Sequence, residues 1–488
     1  MSDHTDVMEY LNYIDGDWVP SESGETVETR NPADQTDVIG GIQESTSADV
    51  KRAITAATAA QSDWGETPGP ERGAILRETA ELLAERKAEL TETLVREEGK
   101  AWSESAGEVQ RAVDIFYYYA NKAAELGGEV KSSSSRDATL STRLEPVGVV
   151  AAITPWNYPI AIPAWKLAPA LAAGNAAILK PASLTGAIAH DFVKCLDDAG
   201  LPDGVLNLVT GPGSEVGGVL STDERIDAVS FTGSGEIGDI VYQNAAPDQK
   251  RVQLEMGGKN PTVVTESADV DEAVDIVSGG AFGVTGQACT ACSRAIVVES
   301  QYEAFVDALV EHVESLELGP GMDDPDVAPQ VSQSELTSTL NYIDIGQEEG
   351  ATLETGGQHL DADGYEDGFF VTPGVFSDVD PEMRIAQEEI FGPVLSVIPV
   401  ADFDEAVDVA NGIEQGLSAS VVTENLSEAH RFIDEIEAGV VKTNEKTTGL
   451  EYHVPFGGMK ASSSETYREQ GDAGLDFYTI SKTVYLNY

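Results

Sequence analysis

PVGVVAAITPWNYPIAIPAWKLAPALAAGNAAILKPAS, residues 146–183, decides the fold of this chain. Within it, the short apolar runs VGVVAAIT and NAAILKP flank residues 165–172, which we predict to be helical. A strand, a helix and a second strand in this order form the repeating unit of a parallel sheet. The alternation continues through VLNLVTG, AVSFTGS and RVQLEMGG, so the sequence predicts an α/β fold with a doubly wound sheet.

The same stretch also raises the alternative of a membrane span. Between Val147 and Leu179 the only charged side chain is that of Lys166. Four prolines, at positions 155, 159, 163 and 169, and two asparagines, at 157 and 175, interrupt this run. We therefore expect buried structure in a soluble protein rather than a membrane-spanning helix.

A second α/β block follows, from about residue 260 to residue 457, with the predicted strands NPTVVT, SRAIVVES, VLSVIPV and SASVVT. Helical periodicity covers residues 47–62, 71–98 and about 105–126 upstream of the first block. The Ser-rich segment 131–145 is predicted to be a strand that leaves the body, and the tail LDFYTISKTVYLNY alternates like a strand.

Charge is the most unusual bulk property of the 488-residue chain, because 85 Asp and Glu oppose 29 Lys and Arg and give a formal net charge of −56. A surface of this sign repels nucleic acids and anionic membranes, so we expect neither as a partner. Molar salt shortens the Debye length to about 3 Å and relieves the self-repulsion, which favours a salt-loaded cytoplasm. A surface suited to a basic partner is the alternative. The opening MSDHTDVMEY lacks the regions of a secretory signal, and three cysteines fit reduced thiols in a cytoplasm.

Three strand ends of the first block carry groups that suit a ligand site. FTGSGEIG supplies Gly233-x-Gly235-x-x-Gly238 before a helix, whose free N–H groups suit a phosphate. Glycines that merely end a strand are the alternative. Lys180 in LKPAS is either a ligand-binding or a surface lysine. Glu255 in LEMGGK is either a general base or a solvated carboxylate.

GQACTACSR, residues 286–294, holds two of the three cysteines, Cys289 and Cys292. A structural metal site needs four ligands, and neither a second cysteine pair nor suitably spaced histidines exist in the sequence, so we predict no metal. A redox pair is typical of a small thioredoxin-like unit, which this chain is not. A nucleophilic cysteine or two plain core thiols are left, and His453 is the only plausible partner for a cysteine hydrolase.

Seven motifs resemble those of the aldehyde dehydrogenase superfamily in their order and spacing, over nearly the whole chain. They are ITPWNYP, LKPA, FTGS, LEMGGKNP, GQAC, EEIFGPV and PFGGMK. Within the superfamily, three stretches resemble the branch that oxidises 2,5-dioxopentanoate (α-ketoglutaric semialdehyde) in pentose and sugar-acid breakdown: AFGVTGQACTACSR, VKTNEKTTGLEYHVPFGGMKASS and YREQG. The net charge of the chain resembles that of a protein from a halophile. The resemblance implies a Rossmann-like cofactor domain at residues 1–123 and 147–257 and an α/β catalytic domain at 258–457. It also implies a small β oligomerisation arm and tail, at 124–146 and 458–488, and a homodimer or homotetramer.

The resemblance further implies the catalytic residues. Cys289 would attack the aldehyde carbon, and Asn157 with the backbone N–H of Cys289 would bind the resulting alkoxide. Glu255 would activate the water that releases the acid. Lys166 is expected to orient the region of Asn157 and Glu255, and Cys292 to be a buried neighbour.

For the cofactor, the resemblance implies a set of binding residues: Trp156, Lys180, Ser183, Gly233, Ser234, Glu389 and Phe391. Lys180 is expected at the adenosine ribose, Ser234 at the pyrophosphate, Glu389 at the nicotinamide ribose and Phe391 beside the ring. Many NAD-preferring members have a glutamate where this chain has Ser183, and the missing carboxylate removes repulsion against a 2′-phosphate. We therefore predict that NADP is accepted and preferred, with NAD as the alternative. Two other departures from the family, Gly235 for a threonine and Ser463 for a glycine, are expected to lie outside the chemistry.

The substrate pocket is expected to be lined by Tyr158, Ile162, Trp165 and Phe456, with Lys446 or Thr447. The arginine that succinic semialdehyde enzymes tend to carry before the GQ motif is absent, so Lys446 is the only nearby cation to nominate for a substrate carboxylate. Succinic semialdehyde, lactaldehyde, glyceraldehyde and betaine aldehyde are alternative substrates. A binding or structural protein on the same scaffold is the alternative to an enzyme, and intact catalytic residues argue against it.

Overall fold

The strand–helix–strand unit of residues 146–183 lies in a seven-stranded sheet, called here the first sheet. The computed structural model describes residues 8–362 and 364–488, so most of the opening segment, for which we predict no secretory signal, lies outside the described residues. The strands of the first sheet are, in spatial order, Arg251–Glu255, Ala228–Thr232, Val149–Ile153, Ala176–Lys180, Leu206–Leu208, Asn12–Ile14 and Asp17–Val19. The first five pair in parallel and the last two are antiparallel, which confirms the predicted doubly wound α/β sheet.

Strand register decides which side chains meet at the edge of the first sheet. Ile153 is opposite Lys180 on one side and opposite Phe231 on the other, and Thr232 is opposite Glu255. Because parallel strands end at a common edge, the loops that follow these residues converge there.

The predicted helix within residues 146–183 runs from Ala161 to Ala172, and every one of its residues is buried. It packs between the first sheet and the amphipathic helix Trp102–Lys122, so an apolar residue suits every face. The helices around this sheet are Ser47–Glu66, Gly69–Glu85, Lys87–Glu98, Trp102–Lys122, Ala161–Ala172, Gly186–Asp198, Gly218–Thr222 and Gly235–Ala245.

A second seven-stranded sheet begins directly after the first one ends. Its strands are, in spatial order, Thr352–Thr355, Gly374–Ser377, Val394–Val400, Cys292–Val298, Asn260–Val264, Ser418–Val422 and Val440–Thr443. All of its pairings are parallel except that of the first strand, and all four predicted strands belong to it. Its helices are Val270–Ala281, Glu299–Glu314, Gln333–Glu349, Arg384–Gln387, Phe403–Asn411 and Leu426–Glu435. The predicted domain limit at residues 257 and 258 stays a prediction, and it falls between the two sheets.

The projecting strand Ala138–Pro146 pairs antiparallel along its whole length with Thr479–Asn487, and Val130–Lys131 adds a third strand. Of the segment 458–488 that the sequence assigns to the arm and tail, only Thr479–Asn487 joins this arm. The residues before it return to the body, where Met459–Lys460 pairs with Gln415–Gly416. The predicted oligomerisation through the arm stays a prediction.

Smaller elements complete the described residues. Glu9–Tyr10, Asp34–Gln43 and Thr26–Asn31 form a three-stranded sheet, His359–Leu360 pairs with Phe370–Val371, and Ala473–Tyr478 is a short helix. Among the helices of the described residues, none combines the length and the apolar composition that a membrane crossing needs.

Candidate active site

Cys289 lies between two cavities and lines both of them. The first, of about 260 Å³, is called here the cofactor-side cavity and is lined by Pro155, Trp156, Asn157, Thr232, Gly233, Ser234, Met256, Gly257, Cys289, Glu335, Ser338, Glu389, Ile390 and Phe391. The second, of about 110 Å³, is called here the substrate-side cavity and is lined by Arg111, Tyr158, Trp165, Cys289, Thr290, Gly449, Leu450 and Phe456. The thiol can therefore be approached from two directions.

A left-handed turn after the helix Val270–Ala281 carries the chain to Cys289. Val284, Thr285 and Gly286 all have positive φ, and a Cβ at Gly286 would lie 2.2 Å from the carbonyl oxygen of Gly392. The side chain of Gln287 then ties the turn to the neighbouring loop, because its Oε1 accepts a 2.9 Å bond from the N–H of Val331. These contacts give Cys289 a fixed backbone position.

Asn157 meets this turn from the first sheet. Its Nδ2 donates a 3.0 Å bond to the backbone carbonyl of Gln287, which occupies one of the two N–H groups of the amide. The backbone of Asn157 is held by Lys100, whose Nζ donates a 2.6 Å bond to the backbone carbonyl of Asn157. The amide of Asn157 is thus positioned beside Cys289 with one N–H group available to a bound oxygen.

Lys100 belongs to a buried ionic cluster that sequence reasoning missed. Its Nζ donates a 2.7 Å bond to Oε2 of Glu108, and Oε1 of Glu108 accepts bonds from the N–H groups of Ile160 and Ala161. The cluster therefore holds the loop of Asn157 at both of its ends. Lys100 is 1% exposed, and a helix-end lysine in EEGKAW carries no local signal for such a contact.

Glu255 is buried and bound to two groups of the C-terminal region. Its Oε2 accepts a 3.1 Å bond from the N–H of Gly458, and its Oε1 accepts a 3.1 Å bond from the hydroxyl of Ser463. Burial, together with the negative charge of Glu469, raises the pKa of Glu255 well above its ordinary value. The sequence places Ser463 outside the chemistry, whereas in the structure its hydroxyl bonds directly to the carboxylate of Glu255.

Lys166 is 1% exposed and pairs with Glu469, and its Nζ also donates a 2.8 Å bond to Ser230. The predicted orienting contact with Asn157 is made by Lys100 instead. Lys166 acts on Glu255 through its charge, which partly opposes the rise in the pKa of that carboxyl. Glu469, which lies in the YREQG motif, was assigned no role from the sequence.

The surroundings of Cys289 favour the protonated thiol. Burial raises its pKa to about 12, and the negative charges of Glu389 and Glu255 act in the same direction. The nucleophile is the thiolate, so an attack from Cys289 requires a group that takes its proton. Glu255 is close enough to influence the thiol by its charge.

The cofactor-side cavity combines groups that fit a dinucleotide. The start of the helix Gly235–Ala245 is exposed at Ser234, so free backbone N–H groups are available to a phosphate. The rings of Trp156 and Phe391 lie 5.3 Å apart at 79° in the same cavity. A Cβ on Gly257 would lie 1.9 Å from Oε2 of Glu389, so only glycine lets this carboxylate reach the cavity.

Residues 18–484 match the aldehyde dehydrogenase family. The chain belongs to this family. The dehydrogenase is 62% identical to an α-ketoglutarate semialdehyde dehydrogenase of Haloferax volcanii, over 98% of this chain and 99% of that relative. It is 43% identical to a 2,5-dioxopentanoate dehydrogenase of Saccharolobus solfataricus, over 96% of this chain and 97% of that relative. Betaine aldehyde dehydrogenase of Staphylococcus aureus, solved in complex with NAD+, matches with a TM-score of 0.95 and 36% identity, over 98% of this chain and 94% of that chain.

Most of the expected pocket residues of the dehydrogenase line the two cavities. Trp156, Gly233, Ser234, Glu389 and Phe391 line the cofactor-side cavity, and Tyr158, Trp165 and Phe456 line the substrate-side cavity. Lys180 and Ser183 line neither cavity and lie at and just after the end of the strand Ala176–Lys180. Lys180 is 5% exposed, and burial lowers its pKa to about 8.

Two expected substrate residues of the dehydrogenase are elsewhere. Ile162 is 1% exposed and packs in the core of the first sheet, because its helix is covered on all sides. Lys446 is exposed and does not line the substrate-side cavity. The cation that lines this cavity is Arg111, on the helix Trp102–Lys122, where the sequence shows only an amphipathic pattern.

The other thiols of the dehydrogenase are buried. Cys292 is 2% exposed, and its Sγ lies 3.2 Å from the hydroxyl of Thr262, while burial raises its pKa to about 11. Cys195 is buried among the helices of the first sheet. Within residues 8–362 and 364–488, no group of three His, Cys, Asp or Glu could hold a metal ion.

Proposed function

We propose that the protein oxidises 2,5-dioxopentanoate to 2-oxoglutarate with NADP as the electron acceptor. The observation that carries the proposal is the position of Cys289, the one residue that lines both the cofactor-side and the substrate-side cavity among the described residues. Two relatives named for this reaction are 62% and 43% identical over almost the full length, which supports the substrate.

The chemistry follows from the groups around Cys289. The Cys289 thiol gives its proton to a solvent water, its sulfur then forms a bond to the aldehyde carbon, and the electron pair of the C=O π bond moves to the oxygen, which becomes an alkoxide. The free N–H of the Asn157 amide and the backbone N–H of Cys289 are the donors for this charge, and the loss of one such donor typically costs about 2.7–4 kcal/mol. A bound nicotinamide would supply the hydride acceptor, and loss of hydride from the former aldehyde carbon would leave a thioester on Cys289.

Hydrolysis of the thioester needs a base, and Glu255 is the candidate. Its raised pKa suits a group that takes a proton from water near neutral pH. The water oxygen bonds to the thioester carbon, the carbon–sulfur bond breaks, and the carboxylic acid leaves. Gly458 and Ser463 hold the two oxygens of Glu255 in the structure, and each oxygen keeps a second lone pair that can accept a bond from water.

Residues of this chain also support NADP over NAD. Ser183 presents only a hydroxyl, which donates a 3.2 Å bond to the carbonyl of Gly211, so no carboxylate stands at this position to repel a 2′-phosphate. Lys180 lies three residues before it and supplies a cation. Ser183→Glu should move the ratio of kcat/KM towards NAD, and Ser183→Ala is the matched control that should keep the preference for NADP. A parent enzyme whose kcat/KM for NAD is well above that for NADP would contradict this part of the proposal.

A panel of aldehydes, assayed at high salt with each cofactor, tests the substrate. We expect the highest kcat/KM for 2,5-dioxopentanoate, and 2-oxoglutarate as the product. The proposed substrate is wrong if the highest kcat/KM is instead found for succinic semialdehyde, lactaldehyde, glyceraldehyde or betaine aldehyde. A cytoplasmic location and a dimer or tetramer assembled through the arm belong to the same proposal, and light scattering tests the oligomeric state.

A further inference from the structure

Arg111 is the cation of the substrate-side cavity. It lines the same 110 Å³ space as Cys289, together with the aromatic side chains of Tyr158, Trp165 and Phe456. A guanidinium among aromatic walls is unusual for a cavity that would accept an uncharged aldehyde, because such a substrate offers it no counter-charge.

No carboxylate within the described residues forms an ion pair with Arg111. Its guanidinium donates through Nη1 to the carbonyl of Leu450 and through Nη2 to Oε1 of Gln470, the latter at 2.9 Å. These two bonds use two of the five N–H groups that an arginine carries. Both acceptors are neutral, so the positive charge has no direct ion pair, and Glu451, Asp114 and Glu108 act on it only from a distance.

The surroundings make this charge costly. Arg111 is partly buried, and burial lowers its pKa despite the acids at a distance. Its guanidinium carbon lies 5.9 Å from the ring centre of Trp165, which orients the planar group. A partly desolvated cation without an acidic partner gains most from an anionic ligand that enters the cavity.

We propose that Arg111 binds the carboxylate of the substrate and is the residue that selects aldehydes with a terminal carboxylate; the proposal rests on the proposed function. In this arrangement Cys289 takes the aldehyde end of the five-carbon chain, and Arg111 the acid end. The same charge disfavours a trimethylammonium aldehyde such as betaine aldehyde.

The test is a ratio, the kcat/KM for 2,5-dioxopentanoate divided by that for pentanal, an uncharged aldehyde of equal length. In Arg111→Met the ratio should fall about 100-fold, because a hydrogen bond between charged groups is lost while pentanal is unaffected. Arg111→Lys should retain part of the preference, since it keeps a cation without the planar fork. Betaine aldehyde should become a better substrate of Arg111→Met than of the parent enzyme.

Two variants control for other effects of the charge. Arg77→Met removes an exposed arginine from a neighbouring helix, so it changes the net charge equally and should keep the parent ratio. Lys446→Met removes the cation that the sequence nominated. The proposal is overturned if Lys446→Met lowers the ratio and Arg111→Met does not, or if Arg111→Met lowers kcat/KM for both aldehydes equally.

Failure of the proposed function gives a different result. If the parent enzyme oxidises 2,5-dioxopentanoate no better than pentanal, the proposed substrate is wrong, and Arg111 is then judged on succinic semialdehyde against butanal. A 100-fold fall of that ratio in Arg111→Met supports the role of Arg111, and an unchanged ratio overturns it.

Discussion

Lys100→Met should slow the chemistry although Lys100 lines neither cavity. Its Nζ donates 2.6 and 2.7 Å bonds to the Asn157 carbonyl and to Glu108, and the side chain is 1% exposed. Methionine fills a similar volume but offers no proton, so the Asn157 carbonyl loses its partner and Glu108 loses its counter-charge. The truncation of a buried pair typically lowers the free energy of unfolding by about 3–5 kcal/mol.

The effect on rate passes through Asn157. Removal of an oxyanion donor costs about 10²- to 10³-fold in kcat, and Lys100 only positions that donor, so we expect a loss of about 10- to 100-fold. In a double-mutant cycle, Lys100→Met should therefore lower the burst rate constant only slightly when Asn157 has already been replaced by alanine. Glu98→Gln is the matched control, because it alters a buried carboxyl 3.8 Å from Nζ of Lys100 but leaves the bonds of Lys100 to Asn157 and Glu108 in place. Burial raises the pKa of that carboxyl to about 8.

The assay is the pre-steady-state burst of reduced cofactor, measured at high salt with the folded fraction checked by thermal unfolding. The burst rate constant, rather than the steady-state rate, reports the step in which the alkoxide forms. Additive losses for Lys100→Met and Asn157→Ala would refute the reasoning, because the two residues would then act independently. An unchanged burst in a folded Lys100→Met protein would refute it as well.

Three further predictions concern the thiols, the base and the surface. Cys289→Ser should abolish activity and Cys292→Ser should keep most of it, because the second thiol is 2% exposed and lines neither cavity; the opposite result would reassign the nucleophile. Glu255→Gln should give a burst near one equivalent of reduced cofactor per site, after which turnover should stall. In the parent enzyme the steady-state rate should fall as the pH falls through the raised pKa of Glu255, since only the carboxylate accepts a proton. Continued turnover of Glu255→Gln would exclude this base. A fall from molar salt to about 0.1 M lengthens the Debye length from about 3 to about 10 Å, so the Tm should drop, and a constant Tm would contradict the halophilic interpretation of the charge of −56.

The parts of the fold with a local signal were predictable. Apolar runs separated by helical periodicity predicted both sheets, and strand ends placed Lys180 and Glu255 at one edge because parallel strands share a direction. The division of the tail was not predictable. Residues 459–478 carry no periodicity that separates them from the strand Thr479–Asn487, yet they return to the body and place Ser463 against Glu255.

The candidate cations show the same limit. Lys446 was predicted because it is the only cation near the expected pocket residues in the sequence. Arg111 lies 339 positions before its partner Leu450, within a helix that shows only an amphipathic pattern. A sequence shows which side chains exist and how they repeat. It does not show which of them become buried next to one another in the folded chain.

The sequence by itself determined the family, the two-sheet α/β architecture and the identity of Cys289, Glu255 and Asn157 as the candidate chemical groups, because short motifs and strand periodicity encode these features locally. Only the tertiary structure decided what surrounds them. Lys100 reaches Asn157 across 57 positions and Lys166 reaches Glu469 across 303, and such buried contacts arise from the packing of distant segments. Burial and neighbouring charge then set the pKa of each group, and both are properties of the folded chain.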